Sequence, residues 1–254
     1  MDFTYGQAVL IGFIQGITEL FPISSLGHAI LIPGWIGGSF GEFISEENEA
    51  YLLITIAMHL ASSVALFLVF RKRWIRLISG TVQAVVSKNF QSTSFRVLSY
   101  IVIATIPVGV LGLAFGDYFQ SIFGKPQYSA LFLTLNGLLL ITAERLSRRD
   151  ITAELQDSDA EIDRRVSAKT AVAIGFGQSL ALFAGISRFG VTMSAGLLRK
   201  LNHSVASDFA FLLSLPVIVG ASIIKLPELF TTSANELLGQ ILLGSVISFI
   251  ATYI

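Results

Sequence analysis

Apolar residues along this chain fall into long blocks, and block length and interruption set the expected elements. Five blocks, at 51–70, 97–116, 128–144, 207–224 and 237–254, come close to the ~20 residues that a helix needs to cross a bilayer. Each predicts a spanning α-helix. Two others, 7–35 and 170–198, are longer but broken by Pro, Gly, Ser and charged residues. Turn-rich connectors lie at 36–50 and 117–127, and a charged one at 145–169. The expected fold class is all-α, a polytopic membrane protein.

The two broken blocks repeat each other. At one constant offset, Ile11-Gly12-Phe13, Gln15, Ile23-Ser24 and Gly27 coincide with Ile174-Gly175-Phe176, Gln178, Ile186-Ser187 and Gly190. At a slightly shorter offset, Leu52-Leu53 and Ala61-Ser62 coincide with Leu212-Leu213 and Ala221-Ser222. Lys and Arg in loops mark the cytoplasmic side. Arg71, Lys72, Arg73, Arg76, Lys88 and Arg96 place 71–96 there, and Arg145, Arg148, Arg149, Arg164, Arg165 and Lys169 place 145–169 there. Its acids (Glu154, Asp157, Asp159, Glu161, Asp163) count little in that rule. The stretch 36–50 carries Glu42, Glu46, Glu47 and Glu49 and no Lys or Arg, which suits the outer face.

Block 170–198 has basic flanks at both ends, including Arg199 and Lys200, so it enters and returns on the cytoplasmic side. Block 7–35 has none and enters from the outer side. A helix over 7–20 measures about 20 Å, past the midplane of a core about 30 Å thick without crossing it. Two opposed re-entrant hairpins, meeting near the midplane, make an inverted-topology repeat. The alternative is one kinked spanning helix per block. The expected layout is a single membrane domain, 1–254. Repeat one covers about 1–146, a cytoplasmic linker about 147–169, and repeat two about 170–254. Repeat two is one helix short of its partner.

Composition agrees. The chain is 53% hydrophobic with mean hydropathy +0.73, and 13% charged, against about a quarter in soluble domains. Net charge is zero, so nothing favours nucleic acid. There is no cysteine, which excludes disulfides, thiolate metal sites and Cys nucleophiles. No cleavable signal peptide is evident, because the first apolar stretch contains Glu19 and His28.

Those intramembrane polar residues are the candidates for chemistry. A carboxylate at membrane depth costs at least about 2.5 kcal/mol, so Glu19 needs a polar cavity, a cation or a metal. Gln15 lies on the same helical face, one turn earlier. Pro22 breaks the helix, and one of Ser24 and Ser25 is expected to cap the returning one. His28 follows Ser25 by three residues, so a hydroxyl stands beside an imidazole, as in nucleophilic catalysis. His59 is a second histidine at membrane depth, and His203 is interfacial. Arg188 needs an anion: Glu19, or a substrate held in bidentate fashion. Ser187 and Thr192 add hydroxyls to an anion cradle.

At these residues the chain resembles the bacterial undecaprenyl-pyrophosphate phosphatase family, of the bacitracin-resistance type. One family motif reads here Gln15-Gly16-Ile17-Thr18-Glu19, then Pro22-Ile23-Ser24-Ser25-Leu26-Gly27-His28. The other reads Ala184-Gly185-Ile186-Ser187-Arg188-Phe189-Gly190-Val191-Thr192. Ala184 stands where the family has Pro, Phe189 where it has Ser, and Leu26 where Thr is usual. The family's last helix is absent.

The resemblance implies hydrolysis of undecaprenyl diphosphate to undecaprenyl phosphate in the bacterial cytoplasmic membrane. Lipid-carrier recycling for the cell wall and bacitracin resistance follow from it. The site would open to the outer face and use a divalent cation, Mg²⁺ or Ca²⁺. The expected roles follow. Ser24, Ser187, Arg188 and Thr192 hold phosphate. Ser25 attacks phosphorus, and His28 takes its proton. Glu19 orients His28 or, with Gln15, holds the cation. His28 as nucleophile is the alternative. Membrane lipid is an expected partner, and a homodimer is possible on these sequence grounds. A competing expectation is an inverted-repeat transporter or lipid flippase for an anionic substrate.

Overall fold

The computed structural model describes residues 3–44, 49–147, 158–230 and 233–254. Glu46 and Glu47 of the acidic connector, and Arg148, Arg149, Glu154 and Asp157 of the linker, lie outside them. The described residues form helices and no strand. In chain order these are α1 (Tyr5–Glu19), α2 (Ser25–Ile36), α3 (Gly38–Phe43), α4 (Glu49–Val86), α5 (Thr93–Ala114) and α6 (Gly116–Ile122). Then come α7 (Pro126–Ser147), α8 (Ser158–Arg165), α9 (Ala168–Gln178), α10 (Arg188–Leu198), α11 (His203–Lys225) and α12 (Leu238–Tyr253). Short 3₁₀ turns follow α9 and α11.

Among the described residues, four helical stretches are long and apolar enough to cross a membrane: Ala50–Val86, Thr93–Ala114, His203–Phe230 and Asn235–Tyr253. They match four of the five expected spans. The fifth, α7, is long enough at 22 residues, but Thr134, Asn136, Thr142 and Glu144 dilute its hydropathy, and it is not among the four. On α5, Val102, Ile106, Val110 and Leu113 stand exposed along one stripe, a face suited to lipid and not to water.

The basic stretch after residue 70 is not a loop. α4 runs on to Val86, because no proline interrupts it and Trp74 and Leu77 bury against α5 and α11. Its arginines meet α8: Arg73 Nε donates to Asp159 Oδ1 at 2.6 Å, and Arg96 on α5 pairs with Asp163 at 2.8 Å. The connectors at 36–50 and 117–127 hold the short helices α3 and α6.

Both broken blocks are helical hairpins. In the first, Thr4 and Gln7 cap α1 reciprocally, and the chain turns at 20–24 into α2. In the second, α9 ends in a 3₁₀ turn over Ser179–Leu182, and the chain re-enters helix at Arg188. Eleven residues each give α9 and α10 about 16 Å, too short to span. Contacts are reciprocal: α1 packs on α12 and α9 on α5, α4 meets α12 and α11 meets α5, and α4 meets α11.

Small residues permit the close approaches. A Cβ on Gly12 would collide with the Gly244 carbonyl of α12, and one on Gly175 would lie 2.5 Å from the Ala104 carbonyl of α5. Hydroxyls line the contacts of α12: Ser62 Oγ of α4 lies 2.7 Å from Ser248 Oγ, and Thr252 Oγ1 lies 3.2 Å from Gly16 O of α1. Two apolar clusters flank the hairpin tips. One is built around Phe3, Phe43, Tyr51 and Ile54, the other around Trp74, Ile101, Ile162 and Phe209.

Candidate active site

The turn between α1 and α2 is strained where it carries its hydroxyls. Ser24, a non-glycine residue, sits at φ 64° and ψ 97°, a conformation costing about 1–3 kcal/mol that is retained where the surroundings impose it. Three contacts impose it. Ser24 Oγ accepts from Gly27 N at 3.2 Å, which caps α2. Ser24 O accepts from His28 Nδ1 at 2.8 Å and from His28 N at 3.3 Å. The turn then presents Ser25 as the first residue of α2.

Ser25 Oγ donates to Glu19 Oε2 at 2.7 Å and lies 3.2 Å from His59 Nε2. The imidazole beside the Ser25 hydroxyl is therefore that of His59, brought in by α4. The spacing argument had pointed to His28, whose ring turns back to the Ser24 carbonyl and does not line the cavity. His59 Nδ1 lies 2.8 Å from Thr55 O. A carbonyl only accepts, so Nδ1 carries a proton, while Nε2 faces both the Ser25 hydroxyl and, at 3.5 Å, Glu19 Oε2.

Glu19 is the hub. Its Oε2 accepts from Gln15 Nε2 at 2.8 Å as well as from Ser25. Its Oε1 accepts from Arg188 Nη2 at 2.6 Å, across the gap between the hairpins. Arg188 Nη1 reaches the Ser214 carbonyl of α11 at 3.4 Å. Ser187 is the N-cap of α10, its Oγ accepting from Gly190 N at 3.1 Å. Capping uses the lone pairs of Ser24 and Ser187 and leaves their protons to donate.

These groups share one cavity of about 200 Å³ that is open at its mouth. Glu19, Ser24, Ser25, His59, Ser187 and Arg188 supply its polar wall. Leu52, Ile56, Leu66, Val108, Val217 and Ile218 supply an apolar one. The arrangement suits a ligand with a compact anionic head and an oily body. Phe189 also lines it, its ring tilted 32° to that of Phe211 with centroids 4.3 Å apart.

Thr192 is the second correction. It lies one turn deeper in α10, 2% exposed, with its hydroxyl unpartnered and outside the cavity lining. It is not placed to hold phosphate beside Arg188. Two residues were missed in their roles. His59 stood out only as a histidine at membrane depth. Asn136, 3% exposed in α7, hydrogen-bonds both hairpin turns: its Nδ2 donates to Pro22 O at 2.9 Å and its Oδ1 accepts from Ser187 N at 3.0 Å. A polar amide inside an apolar block was the available signal.

Among the described residues, no three His, Cys, Asp or Glu side chains gather to hold a metal ion. The oxygens present are nevertheless of the kind hard cations take: the Glu19 carboxylate, and Gln15 Oε1, which is buried and unpartnered. With one protein carboxylate, such a cation would need ligand oxygens from the substrate.

Comparison with known proteins places the chain in a family. The family model described as bacitracin resistance protein BacA matches residues 8–254. A protein of Frankia alni named undecaprenyl-diphosphatase 2 is 38% identical over all of this chain and 89% of its own length. Proteins named undecaprenyl-diphosphatase from Mycolicibacterium paratuberculosis and Mycobacterium avium are each 39% identical over 99% of this chain and 87% of their own. The chain is a member of the bacitracin resistance protein BacA family.

Proposed function

We propose that this protein hydrolyses undecaprenyl diphosphate to undecaprenyl phosphate and inorganic phosphate, recycling a lipid carrier and conferring bacitracin resistance. The observation that carries the reading is a serine hydroxyl 2.7 Å from a carboxylate that is itself paired with an arginine, in a cavity with an apolar wall. The names of the relatives support the substrate.

In the mechanism, the diphosphate enters head first and its prenyl chain stays along the apolar wall and in lipid. Arg188 leaves Glu19 for the terminal phosphate, and the hydroxyls of Ser24 and Ser187 donate to its oxygens. Ser25 Oγ then attacks the terminal phosphorus, and its proton passes to Glu19, the nearer acceptor, with His59 Nε2 as the second. The bond from that phosphorus to the bridging oxygen breaks, releasing undecaprenyl phosphate. Water attacks the phosphoserine, the phosphorus–Oγ bond breaks, and Ser25 recovers a proton as inorganic phosphate leaves. Positioning and charge stabilisation supply most of the rate in phosphoryl transfer. Glu19, with Gln15 behind it and outside the cavity lining, would hold a divalent cation, which would supply charge neutralisation for phosphate oxygens. Full turnover in chelator, with no cation bound, would remove that assignment.

The reciprocal packing of α1 on α12 and α9 on α5 supports the inverted repeat. The basic residues of α4 and α8 support a cytoplasmic location for those ends, with the cavity opening to the outer face of the bacterial cytoplasmic membrane. Purified protein in detergent, given the lipid diphosphate, tests the whole reading. Phosphate release that disappears in Ser25→Ala is expected. No release from the wild type would leave transport of an anionic lipid as the better reading.

A further inference from the structure

We infer that Asn136 is a positioning residue: it fixes the spacing between the turn that carries Ser25 and the turn that carries Arg188. The inference rests on the reading that these two groups act on one phosphate.

The two turns meet backbone to backbone. A Cβ on Gly27 would stand 2.8 Å from Gly185 Cα, and one on Gly190 would stand 3.2 Å from Pro22 O. No side chain fits between them at these two points, and the direct link beside them, the Arg188–Glu19 pair, is the one the proposed mechanism opens when phosphate enters. One face of α7 lies across both. Ser129, Leu133, Asn136 and Leu140 follow each other at helical spacing. Ser129 O would stand 2.6 Å from a Cβ on Gly185, Leu133 Cγ 3.0 Å from one on Gly27, and Leu140 Cδ2 3.2 Å from one on Gly190. In the middle of that face, Asn136 bonds each turn once.

The orientation of the amide is not arbitrary. The Pro22 carbonyl only accepts and the Ser187 N–H only donates, so exchanging Nδ2 and Oδ1 would break both bonds. Pro22 lies three residues before Ser25, and Ser187 lies next to Arg188. Slack at Asn136 therefore moves nucleophile and guanidinium relative to each other. A misplacement of about 1 Å at such a pair costs on the order of 10²-fold in rate. Packing alone would be served as well by leucine, which the apolar surroundings favour.

Asn136→Leu and Asn136→Ala are the test, with three readouts. First, kcat for phosphate release is expected to fall about ten- to a hundredfold, with KM changed less than about threefold. Second, in an Arg188→Ala background the same substitution is expected to cost little more, because a spacing that no longer serves a guanidinium has no further effect. Third, the chain has no cysteine, so spin labels at Ile23→Cys and Leu180→Cys report the distance between the turns without activity. That distribution is expected to broaden in Asn136→Leu.

An unchanged distance distribution with kcat within threefold of wild type overturns the inference. So does a loss that multiplies in full with that of Arg188→Ala, or failure of both Asn136 variants to fold. A wild type that releases no phosphate, with a distribution that still broadens, defeats the functional reading and leaves the spacing role standing.

Discussion

At the hairpin tips, Arg188 is held by one carboxylate and, loosely, one carbonyl, while at the α8 end Arg73 is engaged on every side. Arg73 Nε meets Asp159 at 2.6 Å, Nη2 meets Ser158 Oγ at 2.9 Å, and Nη1 meets Asp208 at 3.4 Å. Ser158 in turn donates to Asp208. Both arginines are largely covered, with side chains 17% and 14% exposed. The difference lies in what remains unspent. Arg73 spends its donors on joining α4, α8 and α11, whereas Arg188 keeps donors facing a cavity. Saturated charges fasten helices, and unsaturated ones wait for a ligand. A buried ion pair is weak evidence for stability in itself, and only the second kind is evidence for chemistry.

The sharpest way to break this contrast is to remove each arginine's function in turn. Arg188→Ala is expected to lower kcat/KM for phosphate release by about 10³-fold or more, a loss in kcat per folded molecule that goes beyond the fall in thermal midpoint caused by leaving Glu19 without its counter-ion. Arg188→Lys is not expected to restore it, since an ammonium lacks the planar fork that meets two phosphate oxygens. Activity within tenfold of wild type in either variant would place the phosphate elsewhere. His59→Ala comes next: a loss of about 10²-fold, seen in kcat rather than KM, because the imidazole faces Ser25 and not the ligand head. Were His28→Ala to lose far more, and His59→Ala nothing, the spacing argument would be restored over the contact.

Asp159→Ala should show the opposite profile. Removing one partner of a buried network costs about 3 kcal/mol, and the Asp159 side chain is only 6% exposed. Thermal unfolding in detergent is expected to shift downward clearly, while kcat per folded molecule stays within about twofold. A fall in kcat without a fall in stability would show that α8 is coupled to the tips.

What the sequence made legible follows the range of the interactions. The broken hairpins could be read from Pro22, the serines and the repeat, and Gln15 and Glu19 from their i, i+4 spacing, here a 2.8 Å bond. The Arg188–Glu19 pair could be anticipated because an unpaired charge at membrane depth is too costly. His59 could not be assigned, since its approach to Ser25 spans 34 residues and depends on how α4 packs against α1. The local rule that put His28 beside Ser25 fails because a helix N-terminus offers a nearer partner, the strained Ser24 carbonyl. Asn136 is of the same kind: its two bonds span 114 and 51 residues. The length of α4 was missed because charges at Arg71–Arg73 end an apolar run without ending a helix.

The smallest expected effect lies at the water-facing edge of the α8 cluster. Glu161 is hydrogen-bonded by Arg165 Nε at 2.7 Å and paired with Arg164 Nη2 at 2.5 Å, one turn away on the same helix. The Arg165 hydrogen bond, helped by both charges, holds the Glu161 carboxyl below its ordinary value of 4.5. A carboxyl depressed in the folded state stabilises it above the ordinary value, and the contribution disappears as pH falls through the lower, folded one. Glu161→Gln should therefore lower the thermal midpoint slightly at neutral pH, and the gap from wild type should close in acid below 4.5. Exposed i, i+3 and i, i+4 pairs are also screened, so high salt should narrow the same gap at neutral pH. Asp159→Ala should keep most of its deficit in salt, because its nearer partner, Arg73, is covered and Debye screening acts poorly there, even though the more distant Arg76 is exposed. Equal salt sensitivity of the two variants would mean that water reaches the Arg73–Asp159 pair, and that the saturated cluster is no drier than its rim.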